Sequence, residues 1–479
     1  MDVTQIPYLS GGIPFFGHVR EMRLNRLGFV HRLNHEIDRM GRLRTLGAEA
    51  VVAHHPEVLQ ELMLDKARIF EKSAMTRFSL YPLAGEGLFT SNGDLWRRQR
   101  KLMAPMFHPA QLRSYAADMV QQTEAWIRDW KHGERIELAK ETTRITMSIA
   151  GKTLFGADTF SEADAIGEAL TVALDWTGHN APSLLAIAHL VGRRAFTRLA
   201  EEWNIPGASE MADRLHGPVV LPGAEGKELR EAVRVLNDQV ARMIEARRKD
   251  PGTHADLLDK LLQARDEDDG ARMSDKQVRD EVLTLFVAGH ETTASGLAWT
   301  IHCLCNHPEI YAKVQAEVDA LAGEPTIEDL PRLQLCARVF KEALRLYPPV
   351  YIFGRQANAA SSLDGVAMPR DVVVLVVPYA VHRRPDLFPD PERFDPDRFL
   401  PEAESQRHKL AWLPFGAGPR VCIGNHFAIM EAQLVLAKLL RHARFEAIGV
   451  EEPDAGATLR PKHGMPMRVF LRGRERGVS

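Results

Sequence analysis

Apolar residues recur at helical spacing through most of the middle of the chain. In 227–248, Leu229, Val233, Val235, Leu236, Val240, Met243 and Ile244 follow that spacing. The basic tail suits a helix C-terminus, and Asp250-Pro251-Gly252 stops the run. The longest run starts after Ser274, an N-cap with Gln277 at the capping-box position, and continues to about Asn306 before His307-Pro308. It is about 30 residues long, near 45 Å at helical rise. A helix of that length, apolar on most faces, is expected to cross the interior. Further helices are predicted over 27–38, 57–64, 256–265, 309–322, 335–347 and 427–442.

Strand-like runs are confined to 42–55, 350–380 and 445–472, with 372–377 the clearest. The segments 78–92 and 383–402 read as loops, the first because Pro82, Gly85 and Gly87 interrupt it. The pattern predicts a mainly α chain with small β-sheets and a helical body over 95–347 and 427–442. No repeat or flexible linker divides it, so 1–479 is expected to form one catalytic unit.

Composition narrows the function. A net charge of -3 over 479 residues gives no reason to expect nucleic acid as a partner. Four cysteines are too few for a disulfide scaffold, and Cys303-x-Cys305 has no neighbours to complete a zinc set. There is no basic start followed by an apolar run and no stretch of about 18 apolar residues, so a cytoplasmic protein without a membrane anchor is expected.

The densest chemistry surrounds Cys422. Gly416, Gly418 and Gly424 allow a sharp turn and the close approach of a flat ligand. The helix that follows offers its N-terminal amides to a thiolate, Arg420 adds positive charge and Phe415 an apolar wall. The positions Phe415, Gly418, Arg420, Cys422 and Gly424 resemble the haem-binding signature of the cytochrome P450 family, Phe-x-x-Gly-x-Arg-x-Cys-x-Gly. The resemblance implies haem b (iron protoporphyrin IX) with Cys422 as thiolate ligand. It also implies a triangular helical body, with haem between the long central helix and the cysteine-loop helix.

Other segments are similar to the same family. Ala288, Gly289, Glu291 and Thr292 match its oxygen-activation pattern. The small pair would admit haem and dioxygen, Thr292 would donate a hydrogen bond there, and Glu291 would relay protons through water. Read by itself, Thr292 bonds its own i-4 carbonyl. Glu342 and Arg345 sit at i and i+3 among apolar neighbours, and the resemblance adds Arg398 as the third member of a loop-holding network. Trp96, Arg100 and Arg355 resemble haem-propionate partners, with His382 a weaker candidate that has an equally good structural reading. Arg97, Arg98 and Lys101 suit either a docking face for an acidic electron carrier or an ordinary solvated face.

The family's variable pocket walls map onto Phe78, Tyr81, Trp176, Phe286, Val350, Ile352, Phe353 and Met465, which implies an apolar substrate. Fatty acid, alkyl, terpenoid and steroid compounds all suit it, with a lean toward long-chain acyl or alkyl. The implied reaction inserts one oxygen atom from dioxygen by hydroxylation or epoxidation. Electrons are expected from NAD(P)H through a separate ferredoxin or flavodoxin and its reductase, with the enzyme a monomer. Peroxygenase, redox-neutral and haem-sensor readings are the alternatives.

Overall fold

The computed structural model describes residues 2–14, 16–45, 48–156, 163–180, 192, 199, 203, 205, 223–250, 256–264 and 272–472. The central helix is Asp275–Cys305. Ser274 and Gln277 form the reciprocal capping box, which satisfies backbone donors at its start. Around it pack Leu138–Phe155, Ala163–Asn180, Gln334–Leu346 and, after the cysteine loop, Asn425–His442. Their apolar faces merge into one large core that includes Trp299, Phe340 and Leu434. Close crossing requires small residues. A side chain at Gly296 would meet Phe340 at 2.8 Å, and one at Gly289 would meet Ala150 at 3.3 Å.

The largest sheet runs in the order Met40–Thr45, Ala48–Ala53, Val373–Val376, Phe353–Ala357, Phe70–Lys72. Ala48–Ala53 pairs parallel with Val373–Val376, and its other pairings are antiparallel. This sheet unites two distant stretches of chain and carries Lys72 and Arg355 opposite each other. A second sheet joins Glu134–Glu137, Pro466–Leu471 and Ala443–Ala447, and a hairpin pairs Pro453–Ala455 with Leu459–Pro461.

Two expectations of loop need correction. Ala74–Ala84 is a helix with Pro82 inside it. The Ser73 hydroxyl caps its start; Pro82 offers no N–H to the Phe78 carbonyl, and the helix continues only two residues past it before Gly85 at φ +49°. Within 383–402, Pro396–Phe399 forms a short 3-10 turn, and the helix Pro401–Gln406 begins at the segment's last two residues. Among the described residues, no helix is long and apolar enough to cross a membrane.

Candidate functional site

The cysteine loop is held at both ends. The Cys422 N–H donates to the Phe415 carbonyl at 2.8 Å, and the Gly416 N–H to Leu413 O at 3.0 Å. Phe415 packs edge-on against Trp412, ring centroids 5.8 Å apart. Gly418 has φ +69°, and a side chain there would overlap the Met63 carbonyl oxygen. Its conformational freedom therefore serves the packing of the loop against Met63.

His382 explains how the loop is carried. It is fully buried, and Leu413 N–H donates to its Nε2 at 2.7 Å. That fixes the proton on Nδ1, which donates to Arg345 O at 3.1 Å. Burial also holds its pKa well below the ordinary range, so the ring stays neutral. His382 thus tethers the loop to the helix Gln334–Leu346 and is not a propionate partner. Arg345 and Glu342 have no exposed side-chain surface, and the guanidinium satisfies all its donors. These go to both Glu342 oxygens and to the carbonyls of His382, Pro391 and Arg393. Arg398 Nε stands 3.5 Å from Glu342 Oε1.

Cys422 differs from the other cysteines. Cys303 and Cys336 are buried, whereas Cys422 presents accessible surface. Protein nonetheless encloses it, and enclosure governs its electrostatics: burial pushes the thiol pKa up, while the Gly424 amide and Arg100 pull it down. Arg100 also donates to Val421 O at 2.8 Å. The nearby positive charge acting on the thiol is that of Arg100. Arg420 instead turns to Glu71 at 3.0 Å and Asn92 at 3.3 Å, and lies 4.3 Å from the Trp96 ring centroid.

The central helix has a matching feature. From Asp280 to Leu304 every residue is buried except Ala288, Gly289 and Thr292, which lie along one side. The Thr292 hydroxyl donates to Ala288 O at 2.6 Å. Glu291 accepts from Thr458 Oγ1 at 2.6 Å and lies 3.6 Å from Arg460, and burial pushes its pKa up. His290 points away from this side, with neither ring nitrogen hydrogen-bonded, and burial holds it down to about 4.

Cations concentrate near Trp96. Lys72 donates to Leu88 O and Ser91 O, both at 2.8 Å, and lies 5.6 Å from the indole centroid. Burial, then repulsion by Arg420 and Arg355, pushes Lys72 down to about 6. Arg355 is 9% exposed, lies against Phe353, and makes one long hydrogen bond, 3.4 Å, to Gly354 O. Burial and then Arg420 lower it to about 10. Glu71 engages Arg420, and Glu281 accepts the Leu88 N–H at 3.0 Å. Buried positive charge therefore exceeds the anions engaged with it, which suits a ligand with carboxylates. Together with a thiol that needs a countercharge, these residues fit haem.

The expected pocket residues separate. Phe78 and Tyr81 lie on the helix Ala74–Ala84, tied to the Trp176-bearing helix by Thr177 Oγ1 donating to Ser79 O at 3.0 Å. Phe286 lies against Phe155 with the rings tilted and their centroids 4.7 Å apart, about 120° around the central helix from Thr292, so it belongs to the helix crossing. Val350, just beyond the Pro348-Pro349 turn, is 39% exposed. Ile352 packs with the core under the first two strands, and Met465 is buried in the main core with its carbonyl accepting Leu138 N–H. Sequence reasoning missed Lys72, Glu71, Thr458, Arg460 and Glu431. Glu431 faces Thr293, and burial pushes it up to about 8. Nothing local marked these residues, whose partners lie far away in the chain.

The cytochrome P450 family model matches residues 7–465. Similar proteins from Streptomyces melanosporofaciens are a cyclooctatin synthase, 33% identical over 95% of this chain and 92% of its own, and a cyclooctat-9-en-7-ol 5-monooxygenase, 33% identical over 91% and 89%. A pentalenene oxygenase of Streptomyces avermitilis is 32% identical over 93% and 91%. The solved heme domain of cytochrome P450DA superposes with a TM-score of 0.81 at 26% identity, covering 98% of both chains. The chain belongs to the cytochrome P450 family and is a P450 monooxygenase.

Proposed function

We propose that Cys422 ligates haem iron and that the substrate is an apolar terpenoid, hydroxylated or epoxidised beside Thr292. The observation behind the site reading is the pair of accessible patches in enclosed surroundings, Cys422 on the loop and Ala288, Gly289 and Thr292 on the central helix. Haem, when bound, supplies the activation of dioxygen. Arg100 and Arg355 would pair with its propionates, and the Trp96 N–H would donate to one of them. Gly424 and Arg100 favour the thiolate. Glu291 would hold a proton beside Thr292, whose hydroxyl gives up Ala288 O when it donates elsewhere. Phe78, Tyr81 and Trp176, carried on two linked helices, would exclude water and hold the substrate by packing. Electrons would come from a ferredoxin or flavodoxin docking near the exposed Arg97 and Lys101.

The terpenoid class rests on the names of the Streptomyces relatives and replaces the lean toward acyl chains. An optical titration of the haem-loaded protein with cyclic terpene hydrocarbons, terpene alcohols and fatty acids tests it. Displacement of axial water by terpenes and not by fatty acids is expected. The reverse preference overturns the class. A folded, haem-loaded protein whose reduced carbon-monoxide complex lacks the long-wavelength Soret band overturns the thiolate.

A further inference from the structure

Glu291 reaches the surface through two elements remote in sequence. Its Oε2 accepts from Thr458, in the turn of the hairpin Pro453–Ala455 and Leu459–Pro461. Its Oε1 lies 3.6 Å from Arg460 Nη1 on the same hairpin, too far for a hydrogen bond. Arg460 gives its short contact, 2.5 Å, to Asp175 on the helix Ala163–Asn180, and stands 3.7 Å from Asp454. Side-chain exposure rises from 10% at Glu291 to 28% at Arg460 and 39% at Asp175. One guanidinium is thus shared unequally between an enclosed carboxylate and one in contact with water.

We propose that Arg460 and Asp175 are positioning residues for Glu291: Asp175 holds the guanidinium back from the Glu291 carboxyl and thereby keeps that carboxyl able to carry a proton. The inference rests on Glu291 being the proton-handling acid. Geometry and electrostatics agree. A full Arg460–Glu291 pair would fix the group as a carboxylate that accepts hydrogen bonds and donates none. Burial raises the Glu291 pKa, Thr458 and Arg460 oppose that, and Asp175 reinforces it. These are the groups facing Glu291 from the hairpin and from the neighbouring helix. His290, the adjacent titratable side chain on its own helix, points away and is held neutral. Because Asp175 lies on the helix that carries Trp176, a shift of that helix around bound substrate would alter the hold on Arg460.

The two residues should act with opposite sign. The carboxyl band of protonated Glu291 can be followed by infrared titration of the holoenzyme, assigned by its loss in E291Q. Asp175→Asn should lower the titration midpoint, weakening proton affinity about tenfold, and release more hydrogen peroxide per NAD(P)H. Arg460→Gln should raise the midpoint by a similar factor, and Arg460→Lys should restore most of the wild-type value. Midpoints of D175N and R460Q within threefold of wild type, or shifted the same way, overturn the proposal. If R460Q does not fold, D175N at the more exposed end decides alone. If E291Q leaves the split between product and peroxide unchanged, it is the relay reading that fails.

Discussion

Glu342→Ala should be among the most damaging single substitutions away from the cysteine. Its carboxylate takes two of Arg345's five hydrogen bonds and accepts the Asp395 N–H at 2.9 Å. Without it, Arg345 stays charged at zero exposure, with the more peripheral Arg398 adding unopposed repulsion. Breaking a buried pair from one side destabilises by about 3–5 kcal/mol. At roughly 2.1 cal/mol/K of unfolding entropy per residue, a chain of 479 residues loses about 1 °C of Tm per kcal/mol, so the expected drop is about 3–5 °C. Arg398→Ala removes a 3.5 Å ion pair at the edge and should cost about 1 kcal/mol. Differential scanning calorimetry of the haem-loaded proteins measures both. The carbon-monoxide spectrum adds a second readout. Loosening Arg345 loosens His382 and Leu413, so part of the E342A population should lose the long-wavelength band. A Tm within 1 °C of wild type would refute the view of this pair as a buried, cooperative anchor.

The remaining predictions concern the site. Cys422→Ser should abolish the long-wavelength Soret band of the carbon-monoxide complex while far-ultraviolet circular dichroism stays unchanged; retention of the band would exclude Cys422 as the ligand. Arg355→Leu removes one charge-assisted contact to a carboxylate, worth about 1.5–3 kcal/mol, and should speed haem transfer to a scavenger protein about 10- to 100-fold. Thr292→Ala should raise hydrogen peroxide released per NAD(P)H several-fold at the expense of product; unchanged coupling counts against its role. For Glu431, burial raises the pKa from 4.5 to about 8, so the native chain keeps a proton that the unfolded chain releases between those values. Stability should therefore fall as pH rises from about 4.5 to 8, and urea midpoints of Glu431→Gln should show a flatter slope across that window.

What was legible in the sequence was local. The cysteine loop, Glu291-Thr292 and Glu342-x-x-Arg345 each lie within one turn or loop, so spacing alone brings their side chains together. The capping box at Ser274 followed from a three-residue interval. Pro82 misled because it interrupts one hydrogen bond of a helix that ends two residues later, and nothing in its neighbours marks that position. Phe286 misled because facing is a matter of degrees around the axis, and apolar residues surround this helix on most sides. Lys72 and Arg355 meet across a strand pair formed by stretches more than 280 residues apart, and Glu291 meets Thr458 across 167. Such meetings are fixed by tertiary packing, which a local pattern does not encode.

Fold stability and the cysteine's placement depend on the same atoms. Arg345 satisfies its donors on carbonyls at 382, 391 and 393, which draws that strap of chain against the helix Gln334–Leu346. His382, seated in the same strap, accepts the Leu413 N–H, and the loop from Leu413 closes where Cys422 N–H meets Phe415 O. A neutral imidazole is required at the junction, since Nε2 must accept while Nδ1 donates, and burial enforces neutrality. Substituting His382 by glutamine therefore tests the junction apart from the ion pair. An amide retains one donor and one acceptor on a shorter reach and should preserve the fold while broadening the thiolate's spectral signature. Leucine offers neither group, leaves the Leu413 N–H buried and unpaired, and should cost about 1–3 kcal/mol together with that signature.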